Sequence, residues 1–196
     1  MTPFKMLTRP LAAVVLTLAA ASTWAQPLEV EGVKLDATAQ VGNTVLQLNG
    51  AGLRTKVFFK VYVAGLYVPQ KVSNAAQLLA QKGPRRVSIV MLRNVDAESF
   101  ANALNDGLRD NHTEAQLAAM KPQIDVLNAS LKVAGDAKKG DVIHLDYEPD
   151  SGTRVTVNGQ VRGSTIAGED FFTAVLRIWL GDKPVDGPLK KGLVGG

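Results

Sequence analysis

The chain contains no cysteine, only two histidines, His112 and His144, and 6% aromatic residues in a length of 196. Without cysteine there is no disulfide, no thiol nucleophile and no thiolate-held zinc, and two histidines leave little for a His-rich metal site. No metal and no cofactor are expected. Long runs of one charge are missing too. The 22 basic and 18 acidic residues give a formal net charge of +4, and basic runs are only pairs: Arg85-Arg86, Lys138-Lys139 and Lys190-Lys191. That spread is too even for a nucleic-acid footprint. The phosphate-cradling Gly loop, the dinucleotide fingerprint, the G-x-S-x-G elbow and the paired-His helix are all lacking. What is present is 46% hydrophobic residues with 18 Gly and 9 Pro, an ordinary globular composition. The chemistry on offer is that of Arg, Lys, Tyr, Ser/Thr and carboxylates.

The apolar run Leu11 to Ala21 is about a dozen residues, whereas a bilayer span takes roughly 20. Lys5 and Arg9 precede it and Ser22-Thr23-Trp24-Ala25 follows, the pattern of a secretory signal cut after Ala25. Residues 1–25 are therefore expected to be removed, with a retained anchor as the alternative. The lipoprotein route needs a Cys at the cut and is closed. A single domain over 26–196, without a transmembrane segment and located in the periplasm or secreted, is the expectation.

That domain reads as strands, helices, strands and a helix. Leu28 to Leu35 alternates weakly, Thr44 to Leu48 runs into Gly50-Ala51-Gly52, and Val57 to Val68 is one long strand or two consecutive ones. Asn74 to Gln81 is a short helix stopped by Gly83-Pro84, and Arg86 to Leu92 is a strand covered on both faces. Asp96 caps an amphipathic helix to Asp110. Thr113 opens a stripe of Leu117, Met120, Ile124, Leu127 and Leu131, inside which Pro122 marks a kink or a second helix start. Val142 to Tyr147 and Arg154 to Val157 follow, then the Asn158-Gly159 hairpin signal and a return along Gln160 to Arg162. Glu169 to Leu180 is a helix with Phe172, Val175, Leu176 and Trp179 on one face, and the Gly/Pro-rich remainder from Gly181 reads as an extended or loosely docked tail. This order favours an α+β fold, an antiparallel sheet with helices packed on one side.

Among single residues, Arg54 stands out. It lies between small residues and a strand of large apolar ones, and no carboxylate occurs within ten positions on either side. A guanidinium taken from water unpaired costs several kcal/mol, so its partner comes from distant chain or from a ligand. That makes Arg54 a candidate anion receptor, with a head that snorkels to the surface as the alternative. By strand parity Arg54, Phe58, Lys60 and Tyr62 share a face, but unbroken strand would set Arg54 and Tyr62 roughly 26 Å apart. They serve one site only if the chain turns back between them. His144 alternates with Asp146, which fits either an acid–base pair or an outer-face His beside a solvated Asp.

The strings GAGLRTK and FFKVYVAGLYVP, followed by RRVSIVMLR, DAESFANALNDGL and EDFFTAVLRIWLG, resemble the chalcone isomerase-like family in its secreted bacterial branch, over nearly all of the mature chain. The resemblance implies an open β-sandwich-like fold in which a large antiparallel sheet carries helices over a hydrophobic cleft. It also implies either closure of a chalcone to a flavanone or, in related proteins, fatty-acid binding. Arg54 falls on the family's pocket arginine, Tyr62 on a position that is tyrosine in the lipid-binding relatives, and Asn105 on the enzymes' pocket asparagine. The enzymes' tyrosine and lysine are replaced by Glu98 and Ala101, and their late hydroxyl residue aligns with Phe172 or Thr173.

The pattern keeps the anion anchor and lacks most groups that position a polyphenol. The leading expectation is a non-catalytic periplasmic protein that binds an amphipathic carboxylate, such as a fatty acid. Arg54 and Tyr62 would hold the head group, with Asn105, Phe58 and Tyr67 as further ligand-binding residues and Phe100 and Leu104 as cleft lining. An isomerase of the intramolecular-lyase type, using Arg54 and Asn105 on an enone, is the second reading. An envelope scaffold or partner-binding protein is the third.

Overall fold

The computed structural model describes residues 27–196. The expected signal segment lies outside the described residues. A small hairpin opens the fold, β1 (Leu28–Val30) and β2 (Val33–Leu35), turning at Glu31-Gly32. Seven strands then make one antiparallel sheet in chain order: β3 (Thr38–Val41), β4 (Thr44–Lys56), β5 (Phe59–Val68), β6 (Arg85–Met91), β7 (Val142–Glu148), β8 (Gly152–Val157) and β9 (Gln160–Ile166). Helices α1 (Ala75–Ala80), α2 (Ala97–Asn111), α3 (Glu114–Ala119) and α4 (Lys121–Ala134) fall before β7, and α5 (Glu169–Leu180) and α6 (Gly187–Leu193) follow β9.

Local chemistry accounts for most boundaries. Asn74, Asp96 and Thr113 cap α1, α2 and α3 with side-chain oxygens, Thr113 as half of a reciprocal box with Gln116. Pro122 sits in the first turn of α4, so the residue starts a new helix and does not kink an old one. Between β4 and β5 the chain reverses in two residues, Val57-Phe58, and the strand read from Val57 to Val68 is instead the return arm of a hairpin.

The strands alternate between two cores. Ala64, Leu66, Val87, Ile89, Ile143, Leu145 and Val155 face the helices, whose Leu104, Leu127, Phe172, Val175 and Trp179 complete the larger core. On the opposite face Leu46, Leu48, Val63 and Tyr67 are covered by Leu35 of the β1–β2 hairpin in a smaller cluster. This is the α+β sheet with helices on one face that the element order favours.

The segment after Gly181 differs from the loosely docked tail expected of it. Asp186 caps α6 through Leu189 N–H, Pro188 lies in the first turn, and Leu189 and Leu193 are fully buried in the larger core. Glycine and lysine content suggested a tail, but two leucines one helical turn apart had a sheet face to cover. That face is made flat for them. A Cβ at Gly50 would overlap the Gly192 carbonyl oxygen, and one at Gly52 would press on Leu189 at 3.1 Å, so helix and strand meet backbone to backbone.

Candidate functional site

The turn at Val57-Phe58 brings Arg54 and Tyr62 directly opposite each other on β4 and β5. The condition for a shared site is met. Tyr62 pairs with Arg54, then the register slips so that Thr55 meets Lys60, leaving Val61 as a bulge beside the pair. Such bulges bend a strand and re-aim its side chains. Both residues continue the row of Gly50 and Gly52 on the helix face, at the point where α5 and α6 converge.

The Tyr62 hydroxyl accepts the Trp179 Nε1–H of α5 at 2.9 Å. Burial pushes its pKa up to about 12, against the opposing pull of the Trp179 hydrogen bond and the nearby Arg54 charge. It is a neutral hydrogen-bonding group at any ordinary pH. Arg54 donates from Nη1 to the Thr55 carbonyl and has a counter-ion after all: Asp186 Oδ2 stands 3.6 Å from Nη1. Of the two sources left open for its partner, distant chain or a ligand, the structure supplies the first, a carboxylate at the start of α6. That carboxylate is committed elsewhere, however. Oδ2 accepts Thr55 N–H at 3.0 Å and Oδ1 accepts Leu189 N–H at 2.9 Å. At 3.6 Å its contact with Arg54 is an ion pair without a hydrogen bond. Both side chains are mostly buried.

The other candidates lie elsewhere. Phe58 is at the tip of the turn and 92% exposed, so it lines no cleft. Tyr67 is on the opposite face, where its hydroxyl donates to the Asp36 carbonyl at 3.0 Å and burial pushes its pKa to about 12. Asn105 exchanges hydrogen bonds with Asn128 of α4. It borders a groove of about 300 Å³ between α2, α3 and α4, along with Leu108, Leu117 and Ile124. A second, smaller space of about 20 Å³ lies by Phe100, Leu131 and Val157. Neither is lined by Arg54 or Tyr62. Leu104 is in the larger core, Phe172 is fully buried and stacked on Tyr147, and Thr173 faces Arg85. His144 is half-buried, and Asp146 beside it is not solvated but held by two hydrogen bonds from Arg86, at 2.6 and 2.7 Å.

Asp186 and Trp179 were not legible as site residues. A start signal for α6 was present in Asp186-Gly187-Pro188, a cap followed by a first-turn proline. The close spacing of Gly50 and Gly52 likewise signals another backbone running over the strand. Among the described residues no group of three or more His, Asp or Glu side chains could hold a metal ion.

The sheet runs in chain order with the helices on one face and an arginine–tyrosine pair on a bulged hairpin beneath them. The model of the chalcone isomerase-like family matches residues 27–195, and the chain belongs to that family. No curated protein matches it. Among solved structures, the Arabidopsis thaliana fatty-acid binding protein AtFAP1 is similar, with a TM-score of 0.63 at 14% identity over 83% of this chain and 92% of that one. At that identity the likeness establishes the fold.

Proposed function

We propose that the protein binds an amphipathic carboxylate, such as a fatty acid, without transforming it, and that Arg54 and Tyr62 hold the head group. The observation that carries this reading is the pairing of the two side chains on opposed strands with donor capacity to spare. Arg54 uses one of its five N–H donors on Thr55, and Tyr62 accepts from Trp179 while its own proton is free among the described hydrogen bonds. Asp186 occupies the place of a ligand carboxylate, with its hydrogen bonds spent on the backbone. Exchange of one carboxylate for another leaves the guanidinium paired throughout, and the displaced Asp186 is compensated by water once α6 lifts. Leu189 and Leu193 of α6 cover the sheet where an acyl chain would lie, so binding requires α6 to lift or slide.

The fatty-acid binding named for AtFAP1 is consistent with this proposal. The engagement of Asn105 with Asn128, away from Arg54, favours binding over ring closure, which needs donors aimed at developing charge. Export to the periplasm is part of the same reading.

The test is uptake of saturated fatty acids by the purified protein, followed by native mass spectrometry. Wild type is expected to bind, Arg54→Ala to lose uptake by about tenfold or more, the value of a charged hydrogen bond, and Asp186→Asn to bind more tightly because the competing charge is gone. Asparagine keeps the oxygen that caps α6 at Leu189 and gives up the one that accepts Thr55 N–H. No uptake by wild type and Asp186→Asn alike, with both folded, rejects the proposal.

A further inference from the structure

The β4–β5 hairpin ends in three consecutive large apolar residues that the fold does not cover: Val57 is 76% exposed, Phe58 92% and Phe59 59%. This chain builds its other hairpins differently. Glu31-Gly32, Gly42-Asn43 and Asn158-Gly159 turn β1 into β2, β3 into β4 and β8 into β9, each with glycine and a polar neighbour. At the β4–β5 turn, Val57 takes a φ of +59°, a left-handed conformation that a β-branched side chain resists and glycine adopts freely. Glu31 and Asn158 are left-handed in their turns as well, but both are polar; among these turns the β4–β5 tip alone combines an apolar sequence with a left-handed β-branched residue. Neither feature stabilises the fold.

Cations surround the tip. Lys56 and Lys60 flank it in sequence and are exposed, and the Arg93 guanidinium lies over the Phe59 ring at 4.5 Å from its centre. Strand order places the loop before β7, with Lys138 and Lys139, at the same end of the sheet, and Lys139 N–H is tied to Asn94 beside Arg93. Glu31 pairs with Lys60, and Asp96, Asp136 and Asp141 accept backbone N–H groups of Ser99, Ala97 and Lys138 while keeping their charge, which leaves Lys56, Arg93, Lys138 and Lys139 as the cations there in no ion pair among the described residues.

We infer that this tip docks on a membrane surface carrying anionic phospholipid, with Val57, Phe58 and Phe59 entering the headgroup boundary and the surrounding cations resting on the phosphates. A bilayer suits the feature better than a protein does. Three side chains on a narrow tip cover far less than the roughly 1,200 Å² of a stable protein interface, whereas a bilayer accepts a small apolar wedge and rewards a ring of Lys and Arg. Arg54 lies three residues before the turn, so docking would bring the carboxylate anchor within roughly 10 Å of the surface along β4. The inference stands on the tip alone and does not depend on ligand binding.

The test is flotation of the purified protein with vesicles of phosphatidylcholine alone and with vesicles containing a quarter phosphatidylglycerol. Wild type is expected to float with the anionic vesicles, less with neutral ones and less at high salt. Phe58→Ser is expected to weaken flotation by about tenfold or more, the contribution of one large apolar side chain. Because Phe58 is exposed, its melting temperature should not change. Val57→Gly is expected to raise the melting temperature and still weaken flotation, which separates the role of the tip from stability. Fatty-acid uptake from solution by either variant should equal that of wild type, so failure here and failure of the binding proposal are read separately. The inference is overturned if wild type stays unbound with anionic vesicles, if Phe58→Ser floats as wild type does, or if the tip drives dimerisation in light scattering without vesicle binding.

Discussion

Arg85, like Arg54, is drawn out of solvent by the sheet, and its partners differ in kind. Its side chain is fully buried, donates to Glu169 at 2.8 Å and to the Gly83 carbonyl at 3.1 Å, and lies against the rings of Tyr147 and Phe172, 5.4 and 5.2 Å from their centres. Burial pulls its pKa down and Glu169 pulls it back up. Arg85 is satisfied on every side by rigid elements, so it reads as structure, whereas Arg54 meets a carboxylate at the edge of a single short helix. His144 lies on the opposite face of the sheet. Burial and the Arg86 charge hold its pKa below the ordinary value of 6.5, with Asp146 opposing. The folded state therefore binds a proton less readily than the unfolded chain, and the associated stability is present above 6.5 and lost as pH falls below it. The melting temperature should decline from pH 7 toward pH 5, and His144→Gln should flatten that part of the profile. An equal decline in the variant would remove His144 as the cause.

At the scale of elements, α6 is the piece on which the site turns. It is held by the Asp186 cap, by Asn49, whose side chain bridges the Leu193 carbonyl and Val72 N–H, and by the Lys190 amine on the Gly181 carbonyl. Asn49 is the extra residue of a second bulge, on β4 where the first is on β5, so both irregularities of this strand pair serve contacts at or beside α6. A Cβ at Gly192 would overlap the Ala51 carbonyl oxygen, which is backbone and cannot step aside. Gly192→Ala should destabilise by about 1–3 kcal/mol, the usual cost of overpacking, and loosen α6 in preference to the sheet. Limited proteolysis should then cut within 181–196 before any other segment. Cutting there at the wild-type rate would mean that the helix absorbs the extra methyl group. The caps of α1, α2 and α3 were legible because each depends on a few adjacent residues. Helix α6 carried a start signal of the same kind, but its glycine and lysine content read as tail, and the sheet face that Leu189 and Leu193 cover is a tertiary feature.

For the whole molecule, the two faces of the sheet divide the labour: helices and the candidate site on one, a small hairpin over Leu48, Val63 and Tyr67 on the other. Among the described residues no helix is long and apolar enough to cross a membrane. The export expectation is tested by expressing the full chain in a Gram-negative host and sequencing the N-terminus of the envelope fraction. The first residue should be Gln26, and an intact Met1 terminus would favour a retained anchor. Composition, missing motifs, strand alternation, helix stripes and caps were all readable from the chain itself, as was the resemblance that matched Arg54 and Tyr62 to family positions, because each rests on local order or on a contiguous string. Three things were settled only by tertiary structure: that Val57-Phe58 is a turn, that Asp186 reaches Arg54 across 132 positions of chain, and that Phe58, Tyr67 and Asn105 stand apart from that pair. A left-handed valine has no sequence signature, since its strain is tolerated only when the rest of the hairpin holds it. A counter-ion from a distant helix has none either, because an ion pair depends on distance in space, and the path of the chain between its partners is decided by what the cores can bury.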